Sequence, residues 1–166
     1  MIYLLYGEDD FSVQEYLGEL RSALGSEELG EGNVNVFDGS SITFQHLLQS
    51  CNTVPFLAEH RLVIVRDLFR KFETQRGTSR RDRSGQPSTK ALKAWQELPD
   101  ALAQIPESTI LVFVDVKKSS DPSNIRNNWM FKQISHLAEA KEFSLLRGQS
   151  LSAWIHHRVD TSGAAI

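Results

Sequence analysis

The chain has 166 residues, 40% hydrophobic and 23% charged, enough for one globular domain with a sizeable core or one domain plus a fragment. Eighteen basic against 21 acidic residues give a net charge of −3, which argues against a generally basic DNA-coating protein. The single cysteine, Cys51, excludes an internal disulfide and a cysteine-built zinc site.

Ile2-Tyr3-Leu4-Leu5-Tyr6 is an apolar run too short for a typical helix and closed by Gly7, which predicts a buried strand. Asp9 or Asp10 then caps a helix whose Phe11, Val13, Tyr16, Leu17, Leu20 and Leu24 recur at three- and four-residue spacing, with Gly25 as its stop. Val34, Val36 and Phe37 read as a second strand before the turn Asp38-Gly39-Ser40. Ser41 or Thr43 opens a helix carrying Phe44, Leu47, Leu48 and Cys51, the last on its apolar face as core. Leu62-Val63-Ile64-Val65 is a third strand.

Residues 70–90 hold seven basic residues against Glu73 and Asp82 and almost nothing apolar, so they read as a flexible, solvated insertion. Leu92, Trp95, Leu98 and Leu102 mark a helix broken near Pro99. A strand over 110–114, a helix over 129–138 and a short strand around Phe143 follow. Near residue 147 the pattern changes to a new stripe of Leu151, Trp154, Ile155 and Val159 with nothing after it to pack on. The expected division is a domain over 1–146 and the start of a truncated second domain over 147–166. Apolar strands separated by helices predict an α/β fold, a parallel sheet flanked by helices. No apolar run is long enough to span a membrane and no secretory signal is visible, so a cytoplasmic location is expected.

Chemistry is sparse. A phosphate loop needs several glycines, a lysine and a hydroxyl, whereas Gly7-Glu8-Asp9-Asp10-Phe11-Ser12 offers one glycine, no lysine and three carboxylates. Asp115 after the 110–114 strand lacks the usual following Glu and reads as a strand-end Asp turning into a loop. Glu8, Asp9 and Asp10 could hold Mg²⁺ with Asp67 as a phosphate acceptor and Lys117 as a loose basic partner, the arrangement of a receiver-like phosphotransfer domain. The simpler reading is a capped helix N-terminus. No histidines stand at paired metal spacing, and His156-His157 point to different sides of their helix. No catalytic residue, cofactor or metal is expected.

The segment Thr53-Val54-Pro55-Phe56-Leu57-Ala58-Glu59-His60-Arg61 places two large apolar residues after a proline. On the residues alone, Phe56 and Leu57 either tuck into the core or stand exposed as an anchor for a partner's apolar pocket.

Four stretches carry a resemblance. The opening residues 2–11, the turn Val36-Phe37-Asp38-Gly39 and residues 55–68 (PFLAEHRLVIVRDL) resemble the delta subunit of bacterial DNA polymerase III, and Leu151, Trp154, Ile155 and Arg158 resemble the start of that family's second domain. The resemblance implies an AAA+-like domain of the P-loop-NTPase kind without a functional phosphate loop. It implies a clamp-loader subunit that binds the beta sliding clamp and opens its ring without hydrolysing ATP. Its partners would be the clamp and the other loader subunits, with DNA reached indirectly. Phe56 and Leu57 fall on the family's hydrophobic wedge, and Arg61 is a weaker candidate for polar contacts at its rim. Residues 70–90 depart from the family as a longer insertion.

Overall fold

The computed structural model describes residues 1–24, 32–72, 93–116 and 125–161. Five parallel strands, β1 (Ile2–Gly7), β2 (Val34–Asp38), β3 (Arg61–Arg66), β4 (Thr109–Val116) and β5 (Glu139–Phe143), form one sheet in the order β2-β3-β4-β1-β5. Register sets Leu4 opposite Phe113 and Ala140, and Val63 opposite Asn35 and Leu111. β3 and β4 are buried along nearly their whole length, as expected of central parallel strands covered on both sides. The edge strand β5 carries Glu139, Lys141 and Glu142, and such charges discourage further pairing at its open side.

Strand alternation sorts the core into two layers. On one face Leu4, Tyr6, Val63, Val65, Leu111 and Phe113 pack against α2 (Phe44–Cys51), α3 (Leu98–Leu102) and α4 (Trp129–Ile134). On the other, Leu5, Leu62, Ile64, Val112 and Val114 meet Val13 and Leu17 of α1 (Asp10–Ser22). Topology explains this imbalance. Right-handed crossovers that step along the sheet in one direction lay their helices on one face, and those stepping back lay them on the other. The connections β2→β3, β3→β4 and β4→β5 all step the same way; only β1→β2 returns.

Asp9 is the N-cap of α1, accepting from the Ser12 N–H at 3.1 Å and from its hydroxyl at 2.6 Å. Thr43 rather than Ser41 caps α2. Three expectations are corrected. The helix expected over 129–138 ends at Ile134. The broken helix before β4 is a 3₁₀ turn at Ala94–Glu97 followed by α3, with Pro99 in the first turn of α3, where its missing N–H costs nothing. Phe11 does not join the buried stripe of α1. It is 52% exposed and meets Trp154 of α5 (Gln149–Thr161), rings 5.7 Å apart and nearly perpendicular. The Arg158 guanidinium lies against both rings and pairs with Glu15, so the last helix does find a packing surface, on the outside of α1. The stop expected at Gly25 and most of the 70–90 insertion lie outside the described residues.

Candidate functional site

The carboxyl ends of the strands are where ligands bind in most open α/β sheets. Here the decisive turn is already occupied. Gly7 takes φ +138, and the N–H groups of Glu8 and Asp9, which a phosphate loop would aim at an anion, both donate to the Phe143 carbonyl at 2.8 and 3.1 Å. A Cβ at Gly7 would fall 2.1 Å from that same oxygen, so glycine is required for the close approach of β5. Asp115 is buried within β4 rather than turning into a loop, which corrects the expectation for it.

The receiver-like alternative fails on topology. Receiver domains order their strands 2-1-3-4-5, whereas β3 here lies between β2 and β4 and β4 separates it from β1. Asp67 follows β3 in a left-handed conformation (φ +57); its N–H donates to the Val114 carbonyl, and its carboxylate pairs with Arg70 Nε at 3.1 Å. Among the described residues no group of three acidic, histidine or cysteine side chains could hold a metal ion, and Lys117 lies outside them.

The opposite, amino end of the sheet carries the candidate site. α2 ends at Cys51, and its last carbonyls are taken up locally. Asn52 Nδ2 donates to Leu48 O, Thr53 Oγ1 to Gln49 O, and the buried Thr109 Oγ1 to Cys51 O at 2.7 Å. Pro55 restricts Val54 before it to extended conformations, the chain bends over residues 56–59, and β3 begins at Arg61, whose N–H donates to Ser108 O. The two side chains are 67% and 71% exposed, and Val54 beside them is 81% exposed. The choice the residues left open is thereby decided: Phe56 and Leu57 form an apolar tip, not core. Leu57 takes φ +50, a conformation that costs a non-glycine residue about 1–2 kcal/mol and persists only where the surroundings enforce it.

The residue before Leu57 is braced from a distant part of the chain. Asn33, fully buried ahead of β2, accepts from the Phe56 N–H at 2.6 Å through Oδ1 and donates to the Phe56 carbonyl at 2.7 Å through Nδ2. Arg61 requires a correction: it is only 8% exposed and lies behind the tip, not at a rim. Its Nη2 donates to Asn35 Oδ1 at 2.9 Å, while Nε and Nη1 meet no acceptor among the described residues. The guanidinium sits near the last turn of α2, where a positive charge complements the helix dipole. Burial pushes the neighbouring Cys51 thiol up to about 12, and the Arg61 charge only partly opposes this.

A five-stranded parallel sheet with this order, a self-filled phosphate turn and helices on both faces defines an AAA+-like domain. Solved structures agree. The fold matches the Bacillus subtilis DNA clamp loader delta protein with a TM-score of 0.67 at 18% identity, covering 97% of this chain and 43% of that one. It also matches a DNA polymerase III gamma subunit-related protein from Thermotoga maritima with a TM-score of 0.53 at 17% identity, covering 95% and 45%. The family described as DNA polymerase III, delta subunit, matches residues 3–144, and the chain belongs to that family. It is similar to DNA polymerase III subunit delta of Bacillus subtilis (strain 168), 32% identical over 66 residues, or 40% of this chain and 19% of that protein. The chain thus spans less than half the length of each of these relatives.

Proposed function

We propose that this domain binds the ring-shaped beta sliding clamp through Phe56 and Leu57 and springs one ring interface open, without hydrolysing ATP. The observation that carries the reading is the pair of large apolar side chains standing exposed on a tip fixed at both ends. Apolar groups held away from their own core gain by entering a partner's pocket. Opening requires that the tip bind the open ring more tightly than the closed one, since equal affinity shifts nothing. Turning a ring population from 1:99 to 99:1 open takes about 5.5 kcal/mol of such preference. Burying the exposed two-thirds of both side chains yields only about 2–4 kcal/mol. The wedge therefore needs further contacts from the other loader subunits, which also control its access to the clamp and bring the assembly to DNA. Arg61 acts from behind, by holding the base of the tip. α5 is read as the opening of a second, helical domain; Gly148 at φ +56 precedes it, and none of its residues is buried. Such a subunit works in the bacterial cytoplasm, where the chromosome is copied.

The test is calorimetry with the same organism's clamp, intact and with a substitution that loosens its ring interface. Tighter binding to the loosened clamp is expected. Equal affinity for both would remove the ring-opening role, and binding to neither would remove the clamp as partner.

A further inference from the structure

We infer that Asn33 is the positioning residue of the tip: it presets Phe56 and Leu57 for their partner without touching the partner itself. Asn33 and Phe56 are 23 residues apart, yet the Asn33 carboxamide engages both backbone polar groups of Phe56, accepting from its N–H at 2.6 Å and donating to its carbonyl at 2.7 Å. Those two bonds fix the peptide planes on either side of the Phe56 Cα, as a neighbouring strand would. Side-chain chemistry makes the choice narrow. Aspartate would lack the donor, glutamine carries an extra methylene, and an apolar residue could do neither.

The placement is unusual for an ordinary core position. Asn33 is fully buried, where an apolar side chain would avoid the desolvation of an amide, and it uses that amide on a loop whose own side chains face solvent. The ends of the tip are anchored by α2 and β3, and its exposed middle is held at Phe56 by Asn33. Phe56 and Leu57 pack weakly on the domain, and Leu57 is kept at φ +50 immediately after the braced residue. A loop ordered before binding loses less freedom on binding, and affinity rises accordingly. The inference rests on the clamp-binding reading above; the brace itself does not.

The test uses the full chain and the same organism's clamp. Asn33→Ala is expected to speed hydrogen exchange of the Phe56 amide by about tenfold or more while the β3 and β4 amides keep their protection. It should weaken clamp binding about tenfold. Added to Phe56→Ala/Leu57→Ala, the same substitution should change the residual affinity less than about twofold, because a preset tip without its side chains has nothing left to present. If Asn33→Ala does not fold, Asn33→Ser serves, its side chain being too short to reach both Phe56 atoms; loss of the fold in both would make Asn33 a core residue and overturn the inference. Faster exchange with unchanged affinity would overturn it as well while leaving the clamp reading intact, provided Phe56→Ala/Leu57→Ala does weaken binding. If that double substitution leaves affinity unchanged, the clamp reading fails and the positioning role falls with it.

Discussion

Truncating both tip residues should separate binding from stability, because the free domain leaves most of their surface exposed. In the free domain Phe56 and Leu57 are about one-third buried. Full burial of such side chains is worth roughly 1.5–3 kcal/mol each, so the folded domain owes the pair about 1–2 kcal/mol together, an upper bound since the unfolded chain also buries some apolar surface. A core Leu→Ala substitution, by comparison, costs about 2–5 kcal/mol alone. At about 2–4 °C per kcal/mol for a chain of this size, Phe56→Ala/Leu57→Ala should lower Tm by only about 2–8 °C. The remaining two-thirds, about 2–4 kcal/mol, is available to a partner and corresponds to roughly 30- to 1000-fold in affinity. Calorimetric titration with the clamp, paired with thermal melts of the same preparations, reads both quantities. A Tm drop beyond about 15 °C with clamp affinity unchanged would refute the reasoning, since it would mean the pair supports the fold and not the partner.

Three further outcomes are expected. ATP should show no saturable binding at micromolar concentrations by calorimetry, because the Glu8 and Asp9 amides are spent on the Phe143 carbonyl and carboxylates crowd the turn; saturation would show that β5 can yield this turn to a phosphate. Gly7→Ala should destabilise by about 1–3 kcal/mol in denaturant titrations, since its Cβ has no space beside Phe143, and a loss under about 0.5 kcal/mol would contradict the packing described. Cys51, with its thiol raised from 9.0 to about 12, stays protonated in the folded chain where the unfolded chain ionises. Its contribution is therefore full below pH 9 and lost as pH rises toward 12, so the stability gap to Cys51→Ala should narrow from pH 8 to pH 10.5; a constant gap would argue against thiol burial as the cause.

The strands were legible because central parallel strands are apolar on both faces. The runs in β1, β3 and β4 could be read without any periodicity argument, and Gly7 and Gly39 mark the turns at the ends of β1 and β2 for steric reasons that hold in three dimensions: a Cβ at Gly39 would lie 2.3 Å from the Leu68 Cα. Phe56 and Leu57 were found but not placed, since two apolar residues after a proline look the same whether they point in or out. Arg61 reads as solvated because it is charged; its burial depends on α2 ending close by and on Asn35 from a neighbouring strand. Asn33 left no local trace at all. An asparagine before a strand is an ordinary loop residue, and its meaning comes from a backbone 23 residues away. Phe11 fitted the helical spacing of α1 yet serves its outer side, which only the arrival of Trp154 reveals.

The route by which the tip enters the sheet bears on how it carries a load. Its chain continues into β3, which is hydrogen-bonded along its length to β2 on one side and to β4 on the other. A push or pull on Phe56 directed along that strand meets both ladders in shear, so their bonds are stressed together instead of being unzipped in succession from one end. Thr109, the first residue of β4, adds a buried link to the end of α2, which tethers the helix before the tip to the strand beside it. A lever is only as stiff as its mounting. Here the mounting is β3, an interior strand of the sheet held by a neighbour on each side.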